Sequence, residues 1–190
     1  MSNFIISIYT EATPNPDSLK FVLNKMLLSG RNLDFERGDD VSYAPLAAAI
    51  FSEFSYVKGV FIMNNFVTVR KEADTEWFEV KAAVSEFIKK YVAEGKEIVG
   101  EIPVAESTGD TDPGSITQKI RDMLEKYVKP AVEMDGGAIE FKSFDNGVVT
   151  LMMQGSCSGC PSSTVTLKSG IEGLLKRMVP EVTEVVAESE

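Results

Sequence analysis

Histidine is absent from this 190-residue chain, and cysteine occurs only twice. No imidazole is on hand to complete a metal site, and two thiols are too few for a disulfide framework. No apolar stretch approaches the roughly 20 residues needed to cross a bilayer, so no membrane span is expected. Basic residues are also short, 19 against 29 acidic ones, for a net charge of -10. That balance, with no basic stripe interleaved with aromatics, argues against sequence-independent nucleic-acid binding, which needs clustered Lys and Arg. The opening MSNFIISIYTEATPNPDS lacks the basic start of a secretory signal and the arginines of a transit peptide. A cytoplasmic protein is therefore expected. In such a reducing compartment, two closely spaced cysteines read as metal-binding or catalytic.

The length suits one large or two small domains, each with apolar residues enough for a core. The acid is unevenly spread. Residues 1–94 carry 10 basic and 13 acidic side chains, 95–114 carry 1 and 5, and 115–190 carry 8 and 11. The segment 95–114 also holds four glycines and two prolines without helical or strand periodicity. It reads as a flexible acidic linker with a span of about 25 Å, although Ile98, Ile102 and Val104 offer apolar groups to a neighbouring surface. The domains expected are 1–94 and 115–190, both small and α+β.

In the first domain, 4–10 and 19–24 read as strands on either side of the turn cluster TPNPDS, and 44–54 as a short helix opened by Pro45. A hairpin is expected about Asn64-Asn65. Trp77, Val80, Val84, Phe87 and Tyr91 recur at steps of three and four, predicting a helix over about 75–93. In the second domain, Ile116, Ile120, Leu124 and Val128 form a stripe on a helix whose capping box is Ser115 with Gln118. Pro130 should end or bend that helix. Asp135-Gly136-Gly137 turns into a strand, Asp145-Asn146-Gly147 marks a tight hairpin, and 148–153 returns. A last helix through Leu167, Ile171, Leu174, Leu175 and Met178 stops at Pro180, and 182–186 offers a closing strand.

Both cysteines, Cys157 and Cys160, lie in the run GSCSGCPSST between that returning strand and the last helix. Glycines let the backbone fold tightly there, and Pro161 suits a first helical turn. Helix N–H groups nearby would favour thiolate over thiol. Three readings remain open on spacing alone. The pair is half of a four-thiolate site, an iron–sulfur cluster or zinc, completed by a second copy across a twofold axis. Or it is a redox dithiol. Or it is two small buried residues at a turn. Context weakens the dithiol, since the pair comes late and the single tryptophan lies in the other domain.

The segments DGGAIEF, NGVVTLMMQGSCSGCPSSTVTLKSGIEGLLK and VPEV resemble the NifU C-terminal domain. TEATPNPDSLKFVLN, APLAAAIF and VKGVFIMNNFVTVRKEADTEW resemble the Nfu N-terminal domain. The whole chain looks like an Nfu-type iron–sulfur cluster carrier. The resemblance implies a protein that is not an enzyme. It would hold a cluster, 4Fe–4S in preference to 2Fe–2S, between the two subunits of a homodimer, receive it from a donor and pass it to apo-proteins. It carries the cluster ligands onto Cys157 and Cys160. A thiol–disulfide oxidoreductase is the alternative from another class. Ala138 after the glycine pair and Ala44 before Pro45 depart from the family pattern.

Around the cysteines the plainer readings are preferred. Leu151, Met152 and Met153 are read as strand packing before cluster shielding. Ser156, Ser158 and Ser162 are at least as well read as turn and cap residues as donors to a cluster. Gly170 and Gly173 mark either a close approach or low helix propensity.

Overall fold

The computed structural model describes residues 5–100, 115–158 and 161–189. The chain forms two compact units, Met1–Val104 and Ala105–Glu190. Each is α+β, with its own sheet and its own apolar core. Among the described residues, no helix is long and apolar enough to cross a membrane.

In the first unit, β1 (Ile8–Ala12), β2 (Ser18–Leu23), β3 (Leu28–Glu36), β4 (Val57–Asn64) and β5 (Phe66–Lys71) form one sheet in the order β1-β2-β5-β4-β3. All its neighbours are antiparallel. The first strand begins later than its apolar run suggests. The Asn24 side chain accepts from the Ser7 N–H at 3.0 Å and donates to the Ile5 carbonyl at 2.9 Å, which holds residues 5–7 ahead of the ladder. The β4–β5 hairpin turns where expected, with Asn64 at φ 48°. Strand β3 has no counterpart among the expected strands. Its sequence LSGRNLDFE does not alternate cleanly, and its register shifts between Leu28 and Asn32, around Gly30 at φ 74°. TPNPDS is an internally bonded turn: the Thr13 hydroxyl donates to the Asn15 carbonyl at 2.9 Å, and the Asp17 N–H to Asn15 Oδ1 at 3.0 Å.

Helices α1 (Pro45–Glu53) and α2 (Trp77–Ala93) complete this unit. In α2, Val84 and Tyr91 are buried as expected, Trp77 and Phe87 pack against the core, and Ile88 and Val92 widen the apolar face. Ala44 offers α1 no side-chain cap. An orphan amide of the first turn is met instead by the chain beyond α2: the Leu46 N–H donates to the Ile98 carbonyl at 3.3 Å. The Gly100 N–H donates to the Tyr43 carbonyl at 2.8 Å, and the Tyr91 hydroxyl to the Glu97 carbonyl at 3.0 Å. Residues 95–100, expected in the linker, are thus held on the first unit, with Ile98 packed on its core. The remainder of the expected linker, 101–114, lies outside the described residues.

In the second unit, α3 (Ile116–Met123) starts at Ser115, whose hydroxyl accepts the Gln118 N–H at 3.2 Å. The Gln118 side chain donates to Asp122 at 2.8 Å and does not turn back as a full capping box requires. Pro130 does not end the helix. A π-helical segment, Leu124–Val128, leads into α4 (Lys129–Met134), and the Lys129 N–H donates to the Leu124 carbonyl five residues back. The wider turn accommodates a residue that has no N–H of its own. Then β6 (Gly137–Asp145) and β7 (Val148–Gly155) pair antiparallel through a turn with Asn146 at φ 49°. Helix α5 (Pro161–Met178) crosses over to β8 (Glu184–Ser189), which lies parallel to β7, so the sheet order is β6-β7-β8. Ile120, Leu124 and Val128 from the expected stripe meet Leu151, Met153, Ile171 and Leu175 in the second core.

Candidate metal centre

Strand β7 ends at Gly155 and α5 begins at Pro161, so Cys157 lies in a strand-to-helix loop. Gly155 turns the chain out of the sheet at φ 68°, a conformation that disfavours a side chain. The Ser158 N–H and hydroxyl both return to the Gly155 carbonyl, at 3.2 and 2.9 Å. From the helix side, the Thr164 hydroxyl donates to the Cys157 carbonyl at 3.1 Å. Gly159 and Cys160 lie outside the described residues, as does the side chain of Ser162.

The loop is pinned from across the sheet by the Asp135-Gly136-Gly137 turn. The Ser156 N–H donates to the Gly136 carbonyl at 3.2 Å, and the Ser156 hydroxyl to the Asp135 carbonyl at 2.6 Å. Gly137 faces Gly155 in the β6–β7 register. A Cβ at Gly137 would stand 2.8 Å from Cys157 Sγ and 2.7 Å from the Gln154 carbonyl oxygen, closer than real contacts allow. The glycine is therefore what admits the thiol. Cys157 is 6% exposed and packs with the second core. A thiol so seated lies deeper than an open, surface-exposed cluster site implies.

The plainer readings hold for several neighbours. Leu151 and Met153 are core residues, and Ser156 and Ser158 hold turns. No atom of the described chain approaches a Cβ placed on Gly170 or Gly173, so neither glycine admits a close neighbour within the described chain. Among the described residues, no group of three or more His, Cys, Asp or Glu side chains is placed to hold a metal ion. Spacing did not single out the DGG turn as the seat of Cys157. The signal was there in two adjacent glycines before a strand, but the partner surface lies 20 residues on.

Residues 8–95 match the family model for the scaffold protein Nfu/NifU N-terminal domain, and residues 120–186 match the NifU-like domain. A protein of Drosophila persimilis named NFU1 iron-sulfur cluster scaffold homolog, mitochondrial, is 41% identical over 180 residues, covering 94% of this chain and 64% of its own length. The human protein of the same name is 37% identical over 176 residues, covering 92% of this chain and 69% of its own. A solution structure of a NifU-like protein from Saccharomyces cerevisiae is similar at a TM-score of 0.47 and 24% identity, over 54% of this chain and 91% of that one. This chain thus spans less than two thirds of the length of several of its curated relatives. Their names overturn the expectation of a cytoplasmic protein, which rested on the absence of leader chemistry at the start of the sequence: the relatives are named as mitochondrial. Both halves of the sequence find counterparts in single proteins of one kind, and the chain belongs to the Nfu family of iron–sulfur cluster scaffold homologues.

Proposed function

We propose that this protein carries an iron–sulfur cluster as cargo between two copies of itself and passes it to apo-proteins. Cys157 and Cys160 of each copy would be the ligands. The observation that carries this reading is that Cys157 lies in the strand-to-helix loop of the NifU-like domain, with the only other cysteine of the chain three positions further on in the sequence. Two thiolates per chain leave a cluster half-ligated, and a second copy supplies an identical pair through a closed twofold contact. The surface beside the loop supports that contact. Met134, directly before the DGG turn, is 74% exposed, and Val165, next to the Thr164 that holds the Cys157 carbonyl, is 62% exposed.

The cargo is a 4Fe–4S cluster in preference to 2Fe–2S, received from a donor and given to acceptors. Transfer is ligand exchange. An acceptor thiol gives up its proton as its sulfur binds iron, and the displaced Cys157 or Cys160 thiolate takes up a proton. No electron moves and no substrate bond is cleaved, so the protein is not an enzyme in this reading. Cys157 must turn out of its seat against Gly137 to reach a shared cluster. The first domain serves to choose partners or hold the dimer. The compartment follows the names of the relatives, the mitochondrion. A thiol–disulfide oxidoreductase finds no support in the family or in those names.

Anaerobic reconstitution with iron and sulfide, followed by measurement of iron, sulfide and native mass, tests the reading. The expected outcome is a brown species of two chains and four irons, lost in Cys157→Ser and in Cys160→Ser. A colourless protein whose dithiol cycles at a thioredoxin-like potential would overturn it.

A further inference from the structure

The second unit has a groove of about 250 Å³ between its first helical stretch and β6, lined by Arg121, Leu124, Glu125, Lys129, Glu140 and Phe141. That is below the roughly 300–1,000 Å³ of small-molecule sites, and suits one or two side chains better than a cofactor. Its floor is apolar: Leu124 is buried and Phe141 packs on the second core. Over that floor, the Arg121 guanidinium carbon lies 4.6 Å from the centre of the Phe141 ring. The two cations of the groove differ in their circumstances. Lys129 is bound to Glu125 one turn away. Among the described residues, Arg121 has no ion pair and its buried Nε has no hydrogen-bond partner. A guanidinium that lies over an aromatic ring and has no ion pair among the described residues is set up for a carboxylate.

The shape of the site selects how that carboxylate arrives. Glu140 and Phe141 belong to β6, which forms one edge of the sheet order β6-β7-β8. Its regular pairing runs from Gly137 to Phe141 before the register shifts. An extended chain added to this edge would place alternate side chains toward the helix and into the groove.

We propose that this groove and the β6 edge bind an extended segment of a partner protein, with an acidic side chain on Arg121 and an aliphatic side chain two residues from it over Leu124 and Phe141. The site goes beyond the cluster reading but bears on it. Glu140 lies about 10 Å along the strand from Gly137, against which Cys157 is seated. A partner docked here has its chain directed toward the cysteine loop.

The test uses the full, metal-free chain labelled with nitrogen-15 and the probe acetyl-Leu-Thr-Glu-Thr-Val-amide, which puts Leu, Glu and Val on one face. The expected result is a saturable shift of the Arg121 Nε–H resonance together with the Ile139, Glu140 and Phe141 amides. The Gln counterpart of the probe should bind about tenfold more weakly, as loss of a charge-assisted contact implies. Arg121→Gln should erase that preference. Glu140→Gln removes a like charge from the lip and should tighten binding of the acidic probe, an outcome that does not depend on how Arg121→Gln folds. Equal binding of the two probes, shifts confined to other residues, no saturation, an unchanged affinity in Glu140→Gln, or an equal response to inorganic phosphate would each overturn the proposal. Because no cluster is involved, failure here leaves cluster loading intact, and failure of loading leaves the groove intact.

Discussion

Gly137 shows how much rests on a single missing side chain. The Cys157 sulfur occupies the space a Cβ would take, and the other near atom is a backbone oxygen that cannot move cheaply. Gly137→Ala should therefore cost about 1–3 kcal/mol of stability, as overpacking in a closed site does, and should displace the thiol. Denaturant unfolding and iron content after reconstitution check both parts. Full stability with unchanged iron content would show that the seat is not what the geometry describes. Arg70 makes a similar point in the first unit. It is 2% exposed, stands at 2.8 Å from Asp34 and 2.9 Å from Glu36, and lies where a side chain on Gly59 would be. Burial alone would lower its pKa, but the charges and hydrogen bonds of Asp34 and Glu36 outweigh that and raise it.

At the scale of elements, the crossover of the second unit is tied by one carboxylate. Glu172 on α5 accepts from Lys176 at 2.6 Å and from the Val185 N–H of β8 at 3.1 Å. The Lys176 hydrogen bond, then the Val185 amide, hold its pKa below the ordinary 4.5. A depressed carboxylate stabilises the folded state above its unfolded value, and the contribution is lost as pH falls through the folded one. The Val185 amide proton should therefore titrate with a midpoint below 4.5, and Glu172→Gln should flatten that titration. A midpoint at or above the ordinary value would count against the tie. The π-helical segment before Pro130 is the other decision made at this scale. It keeps one continuous helical path where the sequence pattern expects an end or a bend, and it brings Leu124, Glu125 and Lys129 to one groove.

For the whole molecule, the proposed ligand Cys157 is also a member of the second core. Cargo and fold are then linked, since a ligand bound only by the folded state adds stability by mass action, about 2.7 kcal/mol at a hundredfold excess over Kd. The cluster-loaded chain should unfold at higher denaturant than the metal-free chain, by methyl resonances of Leu151 and Leu175, and Cys157→Ser should remove the difference. Equal midpoints for the loaded and metal-free wild-type chains would uncouple cargo from core. The first core, built around Phe21, Leu46, Ile50 and Ile62, contains no cysteine and has no direct part in that linkage.

The sequence by itself determined the α+β class, most elements of both halves and the family. Those follow from local rules: apolar period, glycine and asparagine at turns, and the presence of both domain patterns in order. Hairpins at Asn64 and Asn146 were legible because few residues accept their backbone angles. Only tertiary structure decided where residues 95–100 belong, since their backbone anchors, Tyr43 and Leu46, are remote in sequence. Strand β3 was hidden because a bulged strand loses the alternation that advertises it. The seat of Cys157 and the Arg121 groove were hidden for a different reason. Each depends on two segments meeting, a turn against a loop and a helix against a strand, and no single stretch of the chain contains either.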